Sequence, residues 1–234
     1  MKTKLNILLV VVAFLAVMPG LRAAGEYREV SAFSEITLRI PANLYILQGK
    51  EQSLEIVAEE SVVNKIITDV KGRELTIRSS GLRNISASSI EVFITIPDID
   101  ALAVSGSGNI LSNGAIQSRI LKLAVSGSGK IGIEKLSAER VMASLSGSGD
   151  IALTGVSDAD ELTLNISGSG KFDGLNFPVN NVNVRISGSG DALVYAHDML
   201  KVFTVGSGDV IFRGNAATDQ SVVGSGKVEA YRER

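Results

Sequence analysis

Short motifs that could bind phosphate recur along the second half of this 234-residue chain, where Gly-Ser-Gly-Lys occurs three times. A phosphate-binding P-loop needs a glycine five residues before its Gly-Lys pair, and a serine or threonine directly after it. The residues at the first of these places are Ala124, Asn165 and Ser221, and those at the second are Ile131, Phe172 and Val228. Because all three copies fail at both places, the sequence does not predict a nucleotide site.

Three further copies read Gly-Ser-Gly-Asp, which suggests a calcium-binding repeat. Calcium-binding β-rolls repeat every nine residues or so and carry an aspartate in each copy. Here the motifs lie 18 to 21 residues apart, and lysine takes the aspartate position in three of them. Lysine and aspartate at equivalent places neutralise each other without a metal. We therefore predict no metal site and no cofactor.

Catalytic side chains are few and scattered. His197 is the only histidine, so a histidine cluster for zinc is impossible, and a Ser-His-Asp triad would depend on this residue. Its neighbour Asp198 points elsewhere in an extended chain, and a turn histidine is the simpler interpretation. The carboxylates that a polysaccharide-cleaving enzyme would use are spread along the chain: Asp150, Asp158, Asp160, Asp173 and Asp191. We predict no catalytic residue, and a polysaccharide-active enzyme is the least favoured class.

The elements that carry these motifs form a repeat. Seven Gly-Ser-Gly triplets begin at Gly106, Gly127, Gly147, Gly168, Gly188, Gly206 and Gly224. A fixed period near 20 residues is typical of stacked repeat architectures. Turn-forming clusters lie between the triplets, at 112–114, 158–160 and 180–181, and we expect them to form the remaining corners.

Alternating apolar and polar residues run through each triplet, as in Leu123, Val125, Gly127, Gly129 and Ile131. This pattern indicates either a strand with glycines inward and serines outward, or a tight corner between two strands of matched parity. Stacking would place the residues after each triplet in one column, where opposite charges could pair between neighbours: Asn109, Lys130, Asp150, Lys171, Asp191, Asp209 and Lys227. Asp191 beside Asp209 breaks the alternation where the period shortens to 18, which predicts a change of coil shape.

We predict an all-β protein, a parallel β-helix or β-solenoid of right-handed coil with seven circuits marked by the triplets. Residues 25–100 should form irregular β circuits that continue into the regular repeats of residues 101–234. The segment from Ser61 to Val70 fits either a short helix or a β edge, and one or two helical turns are preferred. Both ends need caps, and the charged tail from Arg232 could cover one of them.

Residues 1–24 read as an export signal. Lys2 and Lys4 precede an apolar run of about 13 residues, shorter than the ~20 that a membrane-spanning helix needs, and Ala23 and Ala24 offer a cleavage site. The alternative is an uncleaved anchor, but we predict no stable membrane insertion after cleavage.

A net charge of −2 and an aromatic content of 5% argue against a nucleic-acid partner. Without cysteine, packing and backbone hydrogen bonds must provide all the stability.

The segment Phe33-Ser34-Glu35-Ile36, the Gln48-Gly49 turn and the recurring Ser-Gly-Ser-Gly motif, together with the export signal, resemble the putative auto-transporter adhesin head domain, also called the GIN domain. The resemblance covers residues 27–231. It implies a β-helical cell-envelope protein with no established enzymatic activity. The resulting prediction is an exported, non-enzymatic protein at the cell surface or in the periplasm, an adhesin that binds an unknown glycan or protein. A periplasmic scaffold or envelope-stress component is the alternative.

Overall fold

The computed structural model describes residues 23–81, 89–155 and 159–232. Residues 1–22 of the predicted signal segment lie outside the described residues. The predicted cleavage site at Ala23 and Ala24 falls at the start of the first strand. In these ranges the chain forms one short helix, α1 (Glu60–Val63), and 18 strands. The strands are β1 (Ala23–Tyr27), β2 (Glu35–Leu38), β3 (Asn43–Gln48), β4 (Ser53–Glu59), β5 (Ile66–Lys71), β6 (Glu74–Ser79), β7 (Glu91–Ile96), β8 (Ala101–Gly106), β9 (Asn109–Ser112), β10 (Ala115–Gly127), β11 (Lys130–Gly147), β12 (Asp150–Gly155), β13 (Ala159–Gly168), β14 (Lys171–Gly188), β15 (Asp191–Gly206), β16 (Val210–Arg213), β17 (Ala217–Gly224) and β18 (Val228–Ala230).

The repeats stack in register, and the fold is the predicted all-β solenoid. Each first glycine of a triplet pairs with the first glycine of the next, from Gly106 through Gly147 to Gly224, in parallel ladders. The seven triplets bound six intervals, and the solenoid has about six turns, so the count of seven applies to the triplets and not to the circuits. The right-handed coil stays a prediction.

One circuit, from Lys130 to Gly147, shows how the chain turns. Buried and exposed residues alternate, but the alternation is broken by two consecutive exposed pairs, Glu134-Lys135 and Glu139-Arg140. At each pair the inward parity changes, because the strand bends around the core. With the glycine triplet as the third corner, the circuit has three faces that enclose one strip of apolar side chains: Ile131, Ile133, Leu136, Ala138, Val141, Ala143 and Leu145.

The face that leads into each triplet is here called the pre-triplet face. Its stacked segments are residues 101–105, 122–126, 142–146, 163–167, 183–187, 201–205 and 219–223. The face that follows each triplet is the post-triplet face, and it begins with the column of charged residues. A single cluster of buried apolar side chains extends from Phe33 to Val210 behind these faces. Since that core holds the strands in register, each outward side chain has a fixed neighbour one circuit away.

The triplet contains both a tight corner and an inward-facing glycine, the two alternatives that the sequence left open. Gly147, the first glycine, has a φ of +114° and makes the sharp corner. Gly149, the second glycine, is buried, and a Cβ added there would lie 2.4 Å from the carbonyl oxygen of Gly129. Ser148 between them is exposed. Thus the first glycine is needed for its conformation, and the second because the walls of successive circuits approach too closely for a side chain.

The N-terminal end is covered by strands that reverse direction. β2 and β3 join the parallel ladders beside β8 and β9. On their other side, β4 lies antiparallel to β7, β1 antiparallel to β4, and β5 antiparallel to β6. The division of the mature chain near residue 100 stays a prediction.

The structure corrects two sequence-based expectations. Within the segment from Ser61 to Val70, only the first residues belong to helix α1, and Ile66–Lys71 forms strand β5. The antiparallel hairpin with β6 therefore overrides the helical pattern of the second half. Ala159, expected in a turn, is completely buried and pairs with Val179, so it faces the core. The corner lies just after it, at Asp160-Glu161, and the predicted cluster Asn180-Asn181 forms the equivalent corner of the next circuit.

A cross-circuit ion pair gives a stability prediction of small size. Arg140 Nε lies 2.9 Å from Glu161 Oε2, with side chains 51% and 42% exposed. Because water screens such a pair, Arg140→Ala should lower the free energy of unfolding by less than about 1 kcal/mol. Urea melts at low salt and at about 1 M NaCl should differ, with most of the loss absent at high salt. Arg119→Ala, which removes an exposed arginine that is in no ion pair of the described residues, is the control.

Candidate functional site

A shallow groove crosses the pre-triplet face over four successive circuits. Its volume is about 520 Å³, within the range of small-ligand sites. Strands β11, β13, β14 and β15 contribute to it in order along the solenoid axis. The outward side chains that line it are Ser144, Ser146, Asn165, Ser167, Arg185, Ser187, Phe203 and Val205.

The groove exists because small side chains adjoin large ones. In the row nearest the triplet, Ser146, Ser167 and Ser187 are neighbours in successive circuits. The row continues with valines at the next two circuits, Val205 and Val223. In the parallel row, Phe203 follows Arg185. Serines therefore form the floor, and the larger side chains of β15 rise from it as a wall.

The wall is unusually apolar for a solvent-facing surface. Phe203 is 47% exposed, Val205 is 42% exposed and Val223 is 59% exposed. Val202 and Thr204, the inward neighbours of Phe203 and Val205, are buried, so these two outward side chains of β15 are not needed to fill the core. Contiguous exposed apolar side chains of this kind mark interaction surfaces.

Two cations border the wall. Arg185 precedes Phe203 by one circuit, and Lys201 lies two residues before Phe203 on the same outward face. Neither forms an ion pair with any residue that the structure describes. Asp219 is beside Lys201 in the ladder but lies beyond ion-pair distance. The groove thus presents free positive charge next to an aromatic ring, with serine hydroxyls and the Asn165 amide along its floor.

This set of groups is suited to binding a polar or anionic ligand. Hydroxyl and amide groups donate and accept hydrogen bonds, guanidinium and ammonium groups hold anions, and an exposed ring packs against an apolar ligand face. The groove lining contains no carboxylate, histidine or thiol. A second groove, lined by Gln117, Arg119, Glu139 and Asp160 among others, has a similar volume of about 530 Å³. It has no exposed large apolar side chain, so composition rather than size distinguishes the pre-triplet groove.

The charged column after the triplets has the predicted register. Lys130, Asp150, Lys171 and Asp191 are successive partners. Among the described residues, however, no ion pair joins two members of this column, and the Lys171 Nζ atom instead lies 3.9 Å from Asp173 Oδ2 within its own strand. The expected pairing between circuits is therefore wrong, although the column exists.

The Asp191–Asp209 neighbours have a structural role. In the 20- and 21-residue repeats, the residue after the triplet donates its backbone N–H to a glycine carbonyl of the preceding circuit, as Asp150 does to Gly129 at 3.1 Å. In the two shortest repeats, a side chain replaces that carbonyl. The N–H of Asp209 donates to Asp191 Oδ1 at 3.0 Å, and the N–H of Lys227 donates to Asp209 Oδ1 at 2.9 Å. At these two places the aspartate side chain therefore accepts the hydrogen bond from the backbone N–H of the next circuit.

The other residues considered for chemistry remain apart. The ring of His197 lies 4.8 Å from that of Tyr195, centroid to centroid, and Arg213 covers the same tyrosine ring at 5.4 Å. Asp158 lies outside the described residues. Within residues 23–81, 89–155 and 159–232, no group of three or more histidine, cysteine or acidic side chains could hold a metal ion. Over the same residues, no helix is long and apolar enough to cross a membrane.

The fold and its groove define a β-solenoid protein whose regular outer wall carries a potential binding surface. The chain belongs to the family described as "Putative auto-transporter adhesin, head GIN domain", whose model matches residues 32–216. The resemblance noted from the sequence is therefore confirmed, and the family description is that of a putative adhesin. No curated protein matches the chain significantly.

Solved structures share the architecture at low sequence identity. A putative adhesin from Bacteroides fragilis is 21% identical, with a TM-score of 0.85 over 92% of this chain and 100% of its own. A structure from Parabacteroides distasonis, named as a putative lipid binding protein, is 22% identical with a TM-score of 0.74, covering 90% of this chain and 97% of its own. A putative adhesin from Parabacteroides merdae is 23% identical with a TM-score of 0.72 over 90% and 96%. At these identities the likeness shows the fold.

Proposed function

We propose that this protein is an exported, non-enzymatic adhesin that binds acidic glycans in the pre-triplet groove. The observation that carries the proposal is the exposed ring of Phe203 with two cations beside it, at the edge of a floor of serine hydroxyls. Arg185 belongs to the groove lining, Lys201 lies in the adjoining cavity that shares Arg185 and Phe203, and neither is in an ion pair with a described residue. Membership of the adhesin-type family supports it.

The groups in the groove match the chemistry of a sugar that carries a carboxylate. A sugar ring has an apolar face of C–H groups that packs on an aromatic ring, and a rim of hydroxyls that hydrogen-bonds with serine and asparagine. A carboxylate on such a ring pairs with a guanidinium through two parallel hydrogen bonds. The groove crosses four circuits about 4.8 Å apart, a length that suits an oligosaccharide rather than a single sugar.

Rigidity favours this use of the wall. The outward side chains stand on strands whose inward neighbours are fully packed: Leu145, Ile166 and Ile186 are each 2% exposed or less. The binding groups are therefore held in place before a ligand arrives, which lowers the entropic cost of binding. The same rigidity gives a long, regular surface, as expected for attachment.

Location is the first test. Protease treatment of intact cells should remove this protein, whereas a known periplasmic protein in the same cells should survive as the control. If the protein persists until the outer membrane is opened, surface adhesion is excluded, and a periplasmic scaffold takes its place.

Ligand class is the second test. Purified protein applied to an array of neutral, sialylated and uronic-acid glycans should give its strongest signals on the acidic ones, and these should weaken as salt is raised. Equal binding to neutral and acidic glycans would contradict the role of Arg185 and Lys201. Binding to none of them, by a protein shown to be on the surface, would contradict the glycan ligand.

A further inference from the structure

Within the part of the chain that the structure describes, no further strand covers β17 at the C-terminal end of the solenoid. All eight residues of β17, Ala217 to Gly224, are exposed, whereas residues of the preceding strand β15 alternate between buried and exposed. Thr218 and Val222 occupy the inward positions that Leu200 and Thr204 hold one circuit earlier. Residues 231 and 232 are also exposed, so the expected cap is not formed by the part of the tail that the structure describes.

The free backbone groups of β17 can be assigned from the stack. Lys122, an outward residue, donates its N–H to Asp100 of the preceding circuit at 2.9 Å, and Ser225 donates to Gly206 at 2.9 Å. The backbone groups of outward residues therefore hydrogen-bond to the preceding circuit. Because successive residues of a strand point their backbone groups to opposite sides, those of inward residues hydrogen-bond to the following circuit. In β17 the N–H and C=O groups of Thr218, Gln220 and Val222 thus point to the open edge, where a further strand could pair with them.

At the opposite end of the molecule, the described strands offer no matching edge. There the strands reverse direction, and the short strands β1 and β5 cover β4 and β6. Head-to-tail stacking of copies would require a parallel edge as long as β17, and neither of these strands supplies one. The matching surface for a β17 edge is the β17 edge of another copy, which would give a closed two-fold dimer.

We propose that two copies of this chain join end to end by antiparallel pairing of their β17 strands, with the two-fold axis at Gln220. In this register Thr218 of one copy faces Val222 of the other, and Gln220 faces Gln220. Each of these pairs exchanges both of its backbone hydrogen bonds, because the groups identified above point to the open edge. Two β-branched side chains form a favourable cross-strand pair, and two glutamine amides can bond to each other.

The charges at this end permit self-association. Asp219 and Glu229 are balanced by Lys227 and Arg232, which are all in or beside the last circuit. Two copies therefore meet without a net like charge to repel them. In the two-fold register, outward Asp219 faces Ser221 of the other copy rather than a second carboxylate.

The dimer has a consequence for binding that rests on the proposed function. The pre-triplet faces of both copies become one continuous sheet, and their β15 strands lie three strand spacings, or about 14 Å, apart. The two grooves then open on the same side, so that one polymeric glycan could reach both. Such bivalent binding raises avidity without any new contact.

Gln220→Pro is the decisive variant. Its N–H points to the open edge, so proline removes no hydrogen bond within the chain but eliminates a donor at the interface. Sedimentation equilibrium of protein purified from cells that express the full chain should show a dimer that dissociates on dilution between about 200 and 1 µM. Gln220→Pro should raise the dissociation constant at least about tenfold, while Ser221→Ala, on the outward side of the same strand, should leave it within about twofold.

Circular dichroism of each variant separates lost pairing from lost folding, and Val222→Lys, which places a charge at the same interface, provides a second variant. A monomer at all concentrations would overturn the proposal. So would a dimer that both Gln220→Pro and Val222→Lys leave intact, since the interface would then lie elsewhere. Neither result depends on a glycan, so failure of the dimer and failure of the adhesin proposal are distinguishable.

Discussion

Replacing Gly147 by valine is expected to lower the free energy of unfolding by more than about 2 kcal/mol, from backbone strain and overpacking together. Gly147 has a φ of +114°, a conformation that a β-branched residue rarely adopts. A Cβ at this place would also lie 2.6 Å from the carbonyl oxygen of Gly127, which is fixed in the neighbouring circuit. Urea melts followed by circular dichroism measure the loss.

The adjacent Ser148 supplies the matched control. Its side chain is exposed, so Ser148→Val should change the stability by less than about 0.5 kcal/mol. Losses of the same size at both positions would contradict the assignment of corner and surface.

Two more glycines separate the two causes of the lost stability, which are backbone conformation and close approach of neighbouring circuits. Gly149 has no positive φ, but a Cβ there would lie 2.4 Å from the Gly129 carbonyl oxygen. Gly72 has a φ of +63° with no atom within 4 Å of an added Cβ. Gly149→Ala therefore reports the close approach of circuits, and Gly72→Ala reports conformation, at a cost of about 1 kcal/mol. If close approach dominates at the triplets, Gly149→Ala should be the more damaging of the two.

The stacking was predictable because the inward pattern fixes it. Alternation through Leu123, Val125 and Ile131 recurs in the repeats up to Gly188, and a slip by one residue would turn each apolar side chain to the solvent. The equivalence of the triplets follows from the same pattern. For this reason the register of Gly127 with Gly147 could be predicted without knowledge of the coil shape.

Corners were harder to predict, because polar residues also occupy the outward positions of strands. Glu134-Lys135 and Glu139-Arg140 change the inward parity, yet neither pair contains a typical turn residue. The sequence does contain the signal, which is two consecutive polar residues inside an alternating run. Ala159 shows the opposite error, since its aspartate neighbours suggested a turn although it faces the core.

The groove depends on positions where one copy of the repeat differs from the others, and a search for regular features overlooks such positions. Serine precedes the triplet in five copies, and valine takes its place at Val205 and Val223. Phe203 stands two residues before Val205, at a place where earlier copies have small or polar residues. These departures could have been found by comparing the copies. The sequence could not show that Arg185 and Lys201 lack ion-pair partners among the described residues, because ion pairing depends on side-chain distances.

Reversing the charge of Arg185 is expected to abolish most of the binding to acidic glycans. Arg185 lies beside Phe203 in the ladder, belongs to the groove lining, and forms no ion pair with the described residues. Arg185→Glu removes the cation that would pair with a ligand carboxylate and puts a repelling charge in its place. Removing a central contact of this kind costs about 2 kcal/mol or more, so the dissociation constant should rise at least about thirtyfold. Surface plasmon resonance on the best acidic glycan of the array measures it.

Arg119→Glu is the matched control, because it makes the same charge change at an exposed arginine outside the pre-triplet groove. It should leave the dissociation constant within about twofold, since charges more than a Debye length apart are largely screened at physiological salt. A second groove variant, Phe203→Ala, should weaken both the acidic glycan and its neutral, carboxyl-reduced form, because the ring contacts the sugar rather than its charge. Arg185→Glu should weaken only the acidic form. Loss of binding to the same extent in the Arg185 and Arg119 variants would show that overall charge, and not the groove, holds the ligand.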